Sequence, residues 1–244
     1  MKVAIIGASG GIGSYIRDEA LARGHQVTAI VRHPEKITVK NHLLAVVKAD
    51  ILRDKVDKLV KGHDAVISAY NPGWDNPDIY NEQINGAWAI ISGVKKSGVK
   101  RLLVVGGAGS LEIAPGVQLL DKMDAPDQKK GGPLATRETL YMLRKEKNLD
   151  WTFLSPPLRV KPGERTGRYQ VGKDQLLKDK RSPESIKAAF FFIALRQIMD
   201  EKGLSYLFQQ YRVKNLAVYP QTILFTVVQE APGFIVNPLI RLSN

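Results

Sequence analysis

Cysteine is absent from the 244 residues. That excludes disulfides, thiolate metal sites and thiol nucleophiles. Histidine is scarce. His25, His33, His42 and His63 fall at turn-like positions without the spacing of metal ligands, so no metal site is expected. No serine stands in a Gly-x-Ser-x-Gly context, which removes the usual signature of an acyl hydrolase. No apolar run approaches the ~20 residues that a membrane-crossing helix needs; the longest, Ala188–Leu195, is far too short. The chain opens on a strand-like apolar run rather than a signal peptide, so the expectation is a soluble cytoplasmic protein with no membrane partner. The formal net charge is +12, yet the basic excess is spread along the chain without a basic block or an RNA-binding signature. An anionic cofactor accounts for it more simply than nucleic acid, which is not an expected partner.

What is present is organised around the first thirty residues. Lys2–Ile6 reads as a buried strand, Gly7, Gly10 and Gly13 follow, and Ser14–Arg23 carries apolar residues at helical spacing before stopping at Gly24. A second apolar run, Gln26–Val31, completes a strand–helix–strand unit of about thirty residues, the length of a βαβ crossover. Gly7 suits a tight turn off the strand, Gly10 a close approach of pyrophosphate to the backbone, and Gly13 a close helix–sheet contact. Phosphates would rest on the unpaired N–H groups of the helix start, with Ser9, Gly11 and Ile12 completing the loop.

The strand–helix alternation continues, which predicts an α/β fold: a Rossmann-type doubly wound parallel sheet with helices on both faces. Strands are expected at Leu44–Lys48, Ala65–Ala69, Arg101–Val105 and Trp151–Ser155, and helices at Asp54–Lys61, Tyr80–Ser97 and Pro133–Lys147. Trp88 is expected in the core. The stretch up to Gly132 reads as a long loop. Arg32 after the second strand favours the 2′-phosphate of NADP, helped by His33 and Lys36, with NAD as the possible alternative. Asp50 is placed to cap a turn or to meet the adenine region, beside Ile51. Ala69 and Tyr70 end the fourth strand, and the Pro/Gly/Asn loop Asn71–Asp78 is a candidate substrate wall. Gly106 and Gly107 let the backbone approach a nicotinamide, and Ser110 offers a hydroxyl for substrate orientation. Beyond that, Gly163–Leu177 suggests a hairpin or strands at the cleft. Ser182-Pro183-Glu184 opens a helix running to Glu201 and closing at Gly203, and Thr222–Val228 suggests a late strand.

Tyr141 and Lys145 have the Tyr-x-x-x-Lys spacing that lets a lysine lower a tyrosine pKa for proton transfer. The strand at Trp151 begins so soon afterwards that the pair falls in the last turns of its helix, away from the ligand edge of the sheet. Glu138, matched to the Tyr-x-x-x-Lys-x-x-x-Glu pattern of the extended enzymes, would put the pair at Lys130 and Leu134, where it is missing.

GASGGIGSYI (7–16), HQVTAIVRHPEKI (25–37), DAVISAY (64–70), KRLLVVGGAGSLEIAPGVQLLD (100–121), LDWTFLSPP (149–157) and PGERTGRY with DQLL (162–177) together resemble the atypical short-chain dehydrogenase/reductases of the NADH-flavin reductase group. That group is similar to biliverdin reductase B and to NmrA-like proteins. The resemblance implies NAD(P)H along Gly7–Gly13 and Arg32, the nicotinamide near Gly106–Ser110 and Ser155-Pro156, and a planar acceptor stacked on it. It stops at Leu177. The expected organisation is a nucleotide-binding domain over 1–177, with a divergent helix and tail over 178–244 packed on the same domain. The expected activity is NAD(P)H-dependent reduction of a small flavin- or quinone-like substrate. The alternative is a non-catalytic NAD(P)H-binding redox sensor of NmrA-like type.

Overall fold

The computed structural model describes residues 1–124, 127–156, 160–161, 170–176, 186–187 and 224–230. In chain order the strands are β1 (Lys2–Ile6), β2 (Gln26–Val31), β3 (Leu44–Lys48), β4 (Ala65–Ser68), β5 (Arg101–Val105), β6 (Glu112–Ala114), β7 (Val117–Gln118), β8 (Asp150–Ser155), β9 (Val160–Lys161), β10 (Gln170–Gly172), β11 (Ile186–Lys187) and β12 (Leu224–Glu230). The α-helices are α1 (Gly11–Ala22), α2 (Val56–Val60), α3 (Ile79–Ser97) and α4 (Asp127–Lys145). The main sheet has eight strands in the order β10-β12-β8-β5-β4-β1-β2-β3. From β8 to β3 every neighbouring pair is parallel, and β12 runs antiparallel to β8. The strand order reverses between β1 and β4, which opens a crevice at the carboxyl ends of the strands.

The central strands read as continuous apolar runs because both faces are covered. Alternation splits each strand's side chains between two cores. Val3, Ile5, Ile67, Leu103 and Leu154 pack on the face of α1, with Ile16, Ala20 and Leu21. Ala4, Ile6, Val66, Leu102, Val104, Trp151 and Phe153 pack under α2, α3 and α4, with Val60, Ile90, Val94, Leu140 and Leu143. At the end of α1, Gly24 takes φ +75°, its N–H bonding to Leu21 O while the His25 N–H bonds to Ala20 O. That is a Schellman stop, and it turns the chain directly into β2.

Several expectations are corrected. Trp88 is not in the core; it is 66% exposed. The buried stripe of α3 runs through Ile79, Gln83, Ala87, Ile90, Ile91 and Val94, and Trp88 lies outside that stripe. The long loop before Gly132 contains the β6–β7 hairpin and a 3-10 turn, Leu119–Lys122. α4 begins at Asp127, six positions ahead of Pro133, which lies inside it. Gly131 and Gly132 are therefore close-packing positions rather than loop punctuation. A Cβ at Gly132 would come within 2.9 Å of both Ile79 and Trp74. Ile186–Lys187 pairs with β9 as a strand instead of opening a helix; the rest of the helix expected to Glu201 lies outside the described residues. The late strand is present as β12, and β10 lies parallel beside it.

The two tryptophans give a direct check. Trp151→Ala, in the centre of the larger core, should cost about 3–5 kcal/mol. Trp88→Ser should stay within about 0.5 kcal/mol. Urea midpoints at constant slope compare them.

Candidate nucleotide and acceptor site

The turn from β1 into α1 is set by two close backbone approaches. Gly7 sits at φ +80°, and a Cβ there would lie 2.5 Å from Ala69 O at the end of β4. At Gly13 a Cβ would overlap the Gly7 carbonyl. Gly10 differs, because a Cβ there would meet only Gly7 O, at 3.4 Å, and at Gly11 it would meet nothing. Nothing in the fold itself therefore demands glycine at Gly10 and Gly11, and the space they leave faces the cleft. α1 starts at the N-cap Gly10 without a side-chain cap and without an acidic residue in its first turn. An uncapped helix start facing an open backbone cradle fits a pyrophosphate, so the residues present suit a dinucleotide.

The cleft has a volume of about 770 Å³ and follows the carboxyl ends of the strands. Gly7, Ser9, Gly10, Gly11, Ile12, Gly13 and Tyr15 line its centre. One arm carries Val31, Arg32, His33, Lys36, Ala49 and Ile51. Two other cleft-lining groups, Ala69, Tyr70, Asn71, Trp74 and Gln83 from the β4–α3 region and Gly106–Gly109, Met123, Pro133, Thr136 and Pro156 from β5 onward, are linked by packing at α4. The positions of Gly107 and Thr136, with a Cβ at Gly107 only 3.3 Å from the threonine methyl, and of Gly132 and Trp74 join these groups around α4.

Arg32 donates from Nη2 to Pro72 O at 3.1 Å, so it braces the β4–α3 loop as well as lining the nucleotide arm. The Tyr70 hydroxyl donates to Glu82 O at 3.3 Å, and burial pushes its pKa up to about 12. It therefore stays protonated through the neutral range.

Three expected site residues do not line the cleft. Ser110 is buried, its Oγ donating to Gly107 O at 2.9 Å and lying 3.5 Å from Ser155 Oγ. Ser155 is fully buried. Both hydroxyls serve the floor beneath the glycine turn. Asp50 accepts from the Leu52 N–H at 3.0 Å and approaches Arg53 at 3.5 Å, which turns its carboxylate into its own loop. Conversely, Tyr15, Gln83, Met123, Pro133 and Thr136 border the cleft without having been expected there. Gln83 had a legible signal, a polar residue on the apolar stripe of α3. Met123, Pro133 and Thr136 had none.

Tyr141 and Lys145 stand in the last turns of α4 and neither lines the cleft. The Tyr141 hydroxyl donates to Gln118 Oε1 at 2.9 Å, Gln118 Nε2 donates to Ser110 O at 3.0 Å, and Arg137 holds Asp121 at 2.6 Å. This network fastens the 106–122 segment to α4. Among the described residues no group of three His, Asp or Glu side chains is placed to hold a metal, and no helix is long and apolar enough to cross a membrane.

Residues 7–195 match the model of a family described as NAD(P)H-binding. The chain belongs to this NAD(P)H-binding family. The match runs past Leu177, where the motif resemblance stops. The uncharacterized protein YwnB of Bacillus subtilis is 36% identical over 204 residues, covering 82% of this chain and 92% of the relative. A solved structure from Bacteroides thetaiotaomicron, provisionally named an epimerase, is 43% identical with a TM-score of 0.76, covering 93% of this chain and 95% of that one. Another from Streptococcus pneumoniae, provisionally named an NADH-flavin reductase, is 31% identical with a TM-score of 0.71, covering 94% and 100%. As a member of the family the protein binds NAD(P)H, and it is an NAD(P)H-dependent oxidoreductase of the atypical short-chain dehydrogenase/reductase type without a Tyr–Lys pair at the cleft.

The glycine geometry separates structure from binding. Gly13→Ala should destabilise the fold through its clash with Gly7. Gly10→Ala should melt like the parent while losing roughly tenfold or more in NADPH affinity, because its methyl enters the open cradle. Thermal melts and nucleotide-fluorescence titrations of both variants read this out.

Proposed function

We propose that the protein transfers hydride from NADPH to a flat conjugated acceptor of flavin or quinone type. The observation that carries this reading is the composition of the cleft lining around α4 and the exit of β5. Val105–Gly109, Met123, Pro133, Thr136, Pro156 and Trp74 supply backbone, methyl and ring surfaces, and the nearby Tyr70 holds its proton up to about pH 12. Such a surface orients two rings against each other, and the Tyr70 hydroxyl spends its proton on Glu82 O rather than on a substrate oxygen. Hydride transfer to a flavin or quinone needs orientation above all, and solvent supplies the accompanying proton. The name given to the Streptococcus pneumoniae relative is consistent with this chemistry.

In this reading Gly7–Gly13 hold the pyrophosphate, and Ile51 and Ala49 border the adenine. Arg32, with His33 and Lys36, meets the 2′-phosphate, which favours NADPH over NADH. Gly106, Gly107 and Pro156 border the nicotinamide, and Ala69 and Tyr70 close the side next to it. Residues 178–244 are read as part of the same domain; the pairing of β12 with β8 supports this.

The test is NADPH oxidation with FMN, riboflavin and a simple quinone, followed by loss of the reduced-nicotinamide absorbance, beside titrations of NADPH and NADH. Turnover of at least one acceptor is expected, and tight nucleotide binding without turnover of any would overturn the reading in favour of a sensor. Arg32→Gln should weaken NADPH roughly tenfold or more through loss of charge-assisted bonds while changing NADH little. Tyr141→Phe should keep turnover within about threefold, whereas loss of a working general acid typically costs about a hundredfold or more.

A further inference from the structure

Trp74 is the most exposed large apolar side chain among the described residues, at 72%, and it borders the cleft. Its loop is nonetheless firmly braced. Arg32 holds Pro72 O at 3.1 Å, the Gly73 N–H bonds to Asn71 Oδ1 at 2.7 Å, and the Asp78 N–H bonds to Asn76 Oδ1 at 2.9 Å. The Ile79 N–H bonds to Asn76 O at 3.1 Å where α3 begins. One edge of the indole leans on α4 at Gly132, where a Cβ would lie 2.9 Å from Cζ3 and 3.5 Å from Cε3. Residue 132 must therefore lack a side chain if the ring is to lie where it does. An apolar ring held in place by backbone bonds and a glycine seat, yet left open to solvent on the cleft side, is built as a platform.

We propose that Trp74 is the stacking platform for the acceptor ring and sets specificity for fused planar acceptors over small carbonyl compounds. The proposal rests on the reading that the acceptor is flat and conjugated, and it names the side chain that selects it. Stacking on an indole is insensitive to the ring's substituents but demands an extended π-face. A two- or three-ring flavin or naphthoquinone-like acceptor satisfies this, and a short aldehyde does not. Because Arg32 braces the platform's loop and also lines the nucleotide arm, one side chain touches both parts of the cleft.

The experiment compares the wild type with Trp74→Ala and Trp74→Phe. Riboflavin binding to the NADP⁺-loaded protein is read by flavin-fluorescence quenching, and KM and kcat for riboflavin are read in NADPH oxidation. NADPH affinity and the melting temperature report the fold. Trp74→Ala should weaken riboflavin about fivefold or more and raise its KM in step, with a smaller change in kcat and NADPH affinity within about twofold. Trp74→Phe should recover most of the loss. If the wild type binds and reduces riboflavin and Trp74→Ala does so equally well, or if Trp74→Phe fails to recover binding, the platform is overturned and the reductase reading stands. If the wild type neither binds nor reduces any flavin or quinone, the reductase reading falls and the platform falls with it.

Discussion

The site depends on one packing constraint, the approach of the first turn of α1 to the end of β1 and of both to the end of β4. A carbonyl from Gly7 occupies the space where a Cβ of Gly13 would sit, and Gly7 in turn backs onto Ala69 O. This proximity brings the start of a helix dipole directly over the point where the strand order reverses. Once that contact is made, the unsatisfied N–H groups of α1 have no side chain nearby to cap them and open onto the cleft. The rest of the site is arranged around that fixed positive end. The β2 exit brings Arg32 to one side, and the β5 exit brings Gly106–Gly109 to the other.

The sheet was legible because buried parallel strands are continuous apolar runs, and β1, β2 and β5 occur where those runs lie. The glycine loop was legible for a different reason, since its residues are constrained by backbone sterics that no other side chain meets. Trp88 was misread because periodicity identifies a stripe but not its edges. At helical spacing Trp88 is one position from Ala87, yet that step turns the ring outward. Ser110 and Ser155 were misplaced for a related reason, and of the two roles expected for Asp50 the structure shows the turn cap. Their position after a strand end was correct, but a hydroxyl or carboxylate beside a tight turn bonds to the turn itself when a backbone group is in reach. The start of α4 was obscured by Gly131, Gly132 and Pro133, residues that usually punctuate; here the two glycines allow close packing against α3 and Pro133 borders the cleft.

The tyrosine that spacing alone would nominate for proton transfer is spent on architecture. Tyr141, Gln118 and Ser110 form a chain of bonds that pins the segment after β5 to α4, with Arg137 and Asp121 closing it from outside. Removing proton chemistry from the helix and giving it a structural bond is coherent with an acceptor that takes its proton from water. What such a site must still provide is a rigid, dry alignment of two rings, and a polar network beneath a glycine turn contributes rigidity without placing a charged side chain on the cleft surface.

Arg32 connects the two ends of that alignment. A guanidinium has five donors in a planar fork, so it can hold the Pro72 carbonyl and still present donors toward the nucleotide arm. A lysine offers three donors on a flexible stem, without the pre-organised planar fork that fixes both contacts. The loop that carries Trp74 is thus braced by the side chain proposed to meet the nucleotide. The consequence is thermodynamic: any free energy by which a nucleotide narrows the positions open to Arg32 also narrows those open to the loop. By linkage, ordering of the loop by an acceptor is returned as tighter nucleotide binding. If Arg32 meets the nucleotide as proposed, cofactor choice and acceptor choice in this cleft are coupled through its bond to Pro72 O.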